Sequence, residues 1–226
     1  MSFKKVSRQL SKPTWVRRAK WLVALGVAVT TLLASAAAFG ATVLKLDLES
    51  LVANSEQIVE GEVVDVESKV EDDRVVTYTT IEVTDGIKGS KESDTVTIRQ
   101  LGGQTEELAT RVAGMAHFAQ GERAMVFLER PSADATPVIT GMSQGKFEIA
   151  VGPDNTTRYV VPRLGDISLL EPVDSVEKQG DQSLKQSAIE AGNYQPARPS
   201  DLYERVVPLE VFKEEVRAVV RDQEGE

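Results

Sequence analysis

Two long runs of β-favouring residues, separated by a four-residue polar break, constrain this chain more than any other feature. The first, IVEGEVVDVESKV, covers Ile58 to Val70, and the second, VVTYTTIEV, covers Val75 to Val83. Val, Ile, Thr and Tyr suit a pleated, half-buried surface, and patches of apolar and polar alternation give the period of two that a strand shows. Glu71-Asp72-Asp73-Arg74 makes the polar turn between them, so the pair is predicted to be a long hairpin. Gly61 inside the first run predicts a bulge or sharp bend, as a sheet curling into a barrel needs at its corners.

Further strands are predicted at DTVTIRQL (94–101), RAMVFLE (123–129), VITGM (138–142), KFEIAV (146–151) and TRYVV (157–161). Each is bounded by Gly, Pro or Asp turn chemistry, and Gly152-Pro153-Asp154-Asn155 joins the last two as a second hairpin. Residues 104–118 are ambiguous. Asp47 is placed to cap a short helix in which Leu48, Leu51 and Val52 recur at helical spacing. At the other end Pro208 opens a helix whose Leu209, Phe212, Val216 and Val219 form one apolar stripe, to be buried on the β domain or on a partner. We take the partner as the working expectation and those four residues as interaction residues.

The predicted fold is therefore mainly β: a small antiparallel, OB-like barrel with a short N-terminal helix and a C-terminal amphipathic helix. An immunoglobulin-like β-sandwich is the alternative, since strand number alone does not separate the two. Residues 45–165 are expected to form the β domain, 166–207 a flexible linker poor in apolar groups, and 208–222 the terminal helix.

The first 40 residues follow other rules. Lys4, Lys5, Arg8, Lys12, Arg17, Arg18 and Lys20 are basic, nothing there is acidic, and an uncharged run then extends from Trp21 to Leu44. Small-x-small sites at 34–36, 36–38 and 38–40 make this an expected signal peptide, or, if residues 21–44 are retained, an inner-membrane anchor. No cysteine follows the run, which excludes a lipoprotein anchor. Beyond residue 40 the chain holds 19 basic and all 35 acidic residues, a net of −16. Phosphate backbones would be repelled by such a body, so nucleic acid is not an expected partner. With no cysteine in the chain, neither disulfides nor thiolate metal sites are available to stabilise it. An exported, periplasmic or secreted location is expected.

One tract resembles catalysis. Gly141-Met142-Ser143-Gln144-Gly145 matches the G-x-S-x-G nucleophile elbow, and Ser143 with Lys146 matches S-x-x-K. An elbow joins a strand to a helix, whereas strands are predicted on both sides here. The single histidine, His117, precedes the serine, against the order of that hydrolase fold. Ser143 and His117 are thus weak catalytic candidates, and a serine hydrolase is only the alternative reading. Asp72, Asp73 and Asp154 sit in oxygen-rich turns but lack the ligand spacing of a calcium loop, so they are weak metal candidates and no metal or cofactor is expected. Gly102-Gly103 is read as a strand terminus.

The segments SLVANSEQIVEGEVVDVES, TYTTIEVTDGIKG, TVTIRQLGG, GERAMVFLE and GMSQGKFEI resemble a group of uncharacterised exported bacterial proteins with a leader, a Leu-rich short helix and a barrel-like β domain. The resemblance spans about residues 45–165 and implies export and architecture, with QGKF belonging to a strand. The strand arrangement also looks like an OB-type or netrin-like barrel, but the N-terminal cysteine of the netrin-like protease inhibitors is absent, so their mechanism does not transfer. The expected function is that of a non-enzymatic envelope protein binding an unknown protein or polysaccharide. A membrane-anchored accessory to an exported enzyme, such as a protease, is a further alternative.

Overall fold

A computed structural model describes residues 40–172, 194–196 and 201–225. The described elements run β1 (Ala41–Leu44), α1 (Leu48–Asn54), β2 (Gln57–Glu71), β3 (Arg74–Lys88), β4 (Thr95–Leu101), β5 (Gly103–Gln104), β6 (Ala109–Thr110), β7 (Arg123–Glu129) and β8 (Val138–Ile139). A 3-10 turn (Met142–Gly145) leads to β9 (Lys146–Val151), β10 (Arg158–Pro162), β11 (Ile167–Pro172), β12 (Tyr194–Pro196), α2 (Asp201–Glu204), β13 (Val207–Pro208) and α3 (Leu209–Glu224).

The protein is mainly β, built on an antiparallel sheet of eight strands. Its order is β13-β10-β9-β7-β2-β3-β4, with β8 also paired to β7. The hairpin of β2 and β3 forms as predicted and turns through Asp72 and Asp73, at φ +48° and +61°, between the paired Glu71 and Arg74. Two consecutive positive φ values match the right-handed twist of the strands they join. The ladder shifts register between Glu60 and Gly61, where a Cβ on Gly61 would lie 2.4 Å from Ile81 Cγ2 and 2.5 Å from the Glu82 carbonyl. Glycine is needed at this bend because the neighbouring strand fills its side-chain position.

Period-two alternation sends the strands' side chains into two cores. Ile58, Met125, Phe127, Phe147, Ile149 and Val160 face α1 and α3, where Leu51, Val52, Leu209, Phe212, Val216 and Val220 complete one core. Val59, Val63, Ile81, Val83, Val96, Ile98, Val126, Leu128 and Ile139 make the other. These last residues come from five strands of one sheet, so the sheet must curl over its own face to bury them. A hydrogen bond of 2.9 Å from Arg99 N to Pro137 O brings β4 beside the start of β8. The strand ladder goes no further, and the curled sheet stays open. A closed barrel is therefore not shown, and the immunoglobulin-like alternative, which needs two facing sheets, does not describe eight strands in one sheet.

Three expectations are corrected. The apolar stripe of the terminal helix is spent on the protein's own core: Leu209, Phe212 and Val216 are buried and the partly buried Val219 packs against them, so the stripe as a whole is covered within the chain. The stretch expected to be a linker holds β11, β12, α2 and β13, with residues 173–193 and 197–200 outside the described part. The β domain also starts before residue 45, because β1 pairs in parallel with β11, Ala41 opposite Ile167 through Leu44 opposite Leu170. The ambiguous stretch 104–118 holds most of the small β5–β6 hairpin, which Gly103 opens. The segment expected to be a leader, residues 1–39, lies outside the described residues, among which no helix is long and apolar enough to cross a membrane.

Candidate functional site

The catalytic-looking tract has other work. Gly141 and Met142 take left-handed φ of +65° and +63°, and the 3-10 turn they open delivers Ser143, Gln144 and Gly145 into the interior. Ser143 is 2% exposed, its hydroxyl donates to Leu164 O at 2.8 Å, and its N–H donates to Gly114 O at 3.0 Å. Lys146 is also buried, with its ammonium donating to His117 O, paired to Glu122 and lying 4.4 Å above the Phe118 ring. The serine and lysine of S-x-x-K are thus committed to different partners. His117 is exposed, and it is its carbonyl that Lys146 engages. Ser143 and His117 are not brought together as nucleophile and base.

Gln144 performs the function of this tract. Its amide nitrogen donates to Leu44 O at 2.9 Å, and its amide oxygen accepts from Leu46 N at 2.8 Å, so one side chain pairs the backbone on both sides of Lys45. Tyr203 adds a hydrogen bond to Leu46 O at 2.8 Å. Burial, and secondarily the Asp47 charge, push the Tyr203 phenol above its ordinary range, so it remains a donor at any ordinary pH. Gln144→Ala leaves a carbonyl and an N–H without their partner in a partly buried setting, an expected loss of about 1 kcal/mol. Amide hydrogen exchange checks it: the Leu46 N–H should lose protection before the strands of the main sheet do.

The weak metal candidates are turn residues. Asp72 and Asp73 form the hairpin turn already described. The Asp154 carboxylate accepts from Thr156 N, Thr157 N and Thr157 Oγ1, and these hydrogen bonds, led by the Thr157 hydroxyl, hold it well below the usual carboxylate range. Among the described residues no group of three His, Asp or Glu side chains converges as a metal site would require.

A cavity of about 160 Å³ lies at one end of the curled sheet. It is lined by Val66 and Ser68 of β2, Thr77 and Thr79 of β3, Gln100 of β4, Gly102-Gly103 and residues 112 and 115–118. On β3 the residues 77, 79, 81 and 83 share a face, so the strand that carries Ile81 and Val83 into the second core places two threonines at its end. Ser68 and Thr77 hydroxyls lie 2.8 Å apart, and Thr77 donates to Gly102 O at 2.7 Å. Gly103, at φ +132°, closes over this pair: a Cβ there would come within 2.1 Å of Thr77 Oγ1 and 2.5 Å of Ser68 Oγ. Gln100 holds the covering loop by donating to Ala116 O at 2.8 Å.

Thr79 differs from its neighbours. It is fully buried and its hydroxyl has no hydrogen-bond partner among the described residues. A buried hydroxyl without a partner costs about 1–3 kcal/mol, which makes it an uncommon thing for a fold to keep. The site as a whole offers hydroxyls, an amide and apolar walls, with His117 at its margin and no carboxylate or ammonium in its lining. Such a lining suits an uncharged group that both packs and hydrogen-bonds. Sequence reasoning passed over these residues because Thr and Ser in strands read as strand formers. The available signal was their inward register, shared with Ile81 and Val83.

No protein-family model, curated protein or solved structure matches this chain.

Proposed function

We propose that this is an exported, non-enzymatic envelope protein whose β domain is a binding module, with the cavity under residues 112–118 as its ligand site. The reading of the curled strands β2, β3, β4, β7 and β8 as an OB-type barrel end belongs to the same proposal, supported by the approach of β4 to the start of β8. Export rests on the basic, then apolar, then small-residue leader pattern. The engaged Ser143 hydroxyl and the commitment of Lys146 elsewhere favour binding over acyl transfer, which needs a nucleophile beside its base.

The observation that carries the reading is the Thr79 hydroxyl, buried and unpartnered beside a cavity. A buried hydroxyl that the fold itself does not use, in the wall of such a cavity, supports a site kept for recognition at some cost in stability. Thr79→Val removes that hydroxyl with little change of shape and is expected to raise unfolding stability by about 1 kcal/mol, measured by urea denaturation. A loss of stability instead would show that the fold itself uses the hydroxyl, and the reading would lose its support.

A further inference from the structure

The cavity opens beside a strand edge. β7 pairs with β2 only from Gln57 to Glu62, after which the 120–122 loop takes over: Val63 N donates to Glu122 O, Gly121 N to Val63 O, and Gln120 Nε2 to Val64 O. From Asp65 to Glu71, β2 pairs with β3 alone among the described residues. This leaves about 20 Å of unpaired strand edge at the usual rise per residue. Val66 and Ser68 of that segment line the cavity, while Ser68 and Val70 line a groove continuing from it past Glu106 and Glu107.

The charge around this edge is lopsided. Asp65, Glu67, Asp72, Asp73, Glu106 and Glu107 are exposed, whereas Glu71 is neutralised by Lys69 at 3.1 Å and Arg99 at 3.4 Å. Glu106 and Glu107 make no ion pair among the described residues, and Leu108 beside them is half exposed. An edge that offers backbone pairing, a neutral polar cavity below one position and an acidic groove below the next has the features of a strand-addition site.

We propose that the free edge of β2, residues 65–71, takes up an extended basic peptide segment of a partner protein as an added strand. Side chains on one face of such a strand recur every second residue. A small hydroxyl or amide side chain, Ser, Thr or Asn, enters the mouth of the cavity opposite Ser68 and meets the Ser68 hydroxyl. The side chain two residues away lies opposite Val70, where a lysine or arginine packs its stem on the valine and meets Glu106 and Glu107. The recognition pattern is thus a small polar residue and a basic residue separated by one position.

This inference rests on the cavity being a ligand site and is tested apart from it. The probe is a fluorescein-labelled heptapeptide of alternating Thr and Val carrying Lys two residues from its central Thr, titrated into the full chain by fluorescence anisotropy. Binding is expected, weakened at least tenfold when Glu replaces the peptide's Lys or when Glu106→Lys and Glu107→Lys are combined, and about fivefold by Ser68→Ala. Both glutamates are exposed, so the double variant is expected to keep the wild-type circular dichroism spectrum. Equal affinity for the Lys and Glu peptides, or indifference to these variants, overturns the proposal. Absence of peptide binding overturns it too, while the Thr79→Val stability measurement still decides the cavity reading. A neutral oligosaccharide binding in place of the peptide, with the same sensitivity to Ser68→Ala, would assign the site to sugar and likewise overturn the peptide.

Discussion

Lys213→Met should cost about 3 kcal/mol of unfolding stability, far more than a surface ion pair would. Lys213 is buried on α3, with its ammonium 2.9 Å from Glu60 Oε2 and 2.6 Å from Asp85 Oδ2. Glu60 is held on its other oxygen by Arg123 at 3.2 Å, and Asp85 also meets Arg217 at 2.6 Å. Removing the lysine leaves a carboxylate with 4% side-chain exposure and one cation fewer, and the unpaired buried charge is what destabilises. Replacing Glu60 by leucine in the same chain should recover part of the loss, because the group that needed pairing is then gone. Urea denaturation of the two variants measures both effects. A loss below 1 kcal/mol for Lys213→Met would show that water already screens the cluster.

The same cluster fixes a pH dependence. Burial alone would raise the Asp85 carboxyl, but the hydrogen bonds and charges of Lys213 and Arg217 outweigh it and hold the group below its ordinary 3.8. Its contribution is therefore present above that value and is lost as pH falls through the lowered one. Burial would lower the Lys213 ammonium, yet Asp85 and Glu60 together raise it above 10.5, so its contribution persists below that value and is lost as pH rises through the raised one. Between these limits the cluster's contribution is flat. In Lys213→Met the alkaline limb should disappear and the acid limb should become shallower.

Phe147→Ala carries a comparable expectation, about 3–5 kcal/mol. The ring is 1% exposed and touches three others: Phe127 edge-on at 5.6 Å between centroids, Phe212 at 4.9 Å, and Tyr203 stacked at 6.2 Å. It thereby joins β7, β9, α2 and α3 in one cluster. For a chain of this size the loss corresponds to a fall in Tm on the order of 10 °C. Phe147→Leu, which keeps most of the volume, should lose less than half as much. A thermal melt unchanged by the alanine would mean that the helices are not fastened through this ring.

The hairpin, the main strands and the helices α1 and α3 were legible because each rests on local chemistry: period two, period 3.6, and turn residues such as Asp72-Asp73. The direction of the terminal stripe was not legible, because an apolar face reads the same whether its cover is Phe147 or a partner. β11 was missed for a related reason. Its six residues, ISLLEP, pair with β1 on one side and β12 on the other, and strands held by distant segments leave little local periodicity. The tract around Ser143 looked chemical because glycines that permit a left-handed turn also spell a nucleophile elbow, while Gln144, the residue with the structural duty, belongs to no motif. Thr77 and Thr79 read as strand formers, and only their shared register with Ile81 and Val83 hinted that they turn inward.

The parallel pairing of Ala41–Leu44 with Ile167–Leu170 sets an order of events. The first strand of the domain to leave the ribosome has no partner until some 120 further residues have followed it. Until then the backbone of Leu44 and Leu46, later held by Gln144, Tyr203 and β11, stays exposed. The first described strand is thus paired late, so any machinery that must grasp or cut near residue 40 can do so while those further residues are being made.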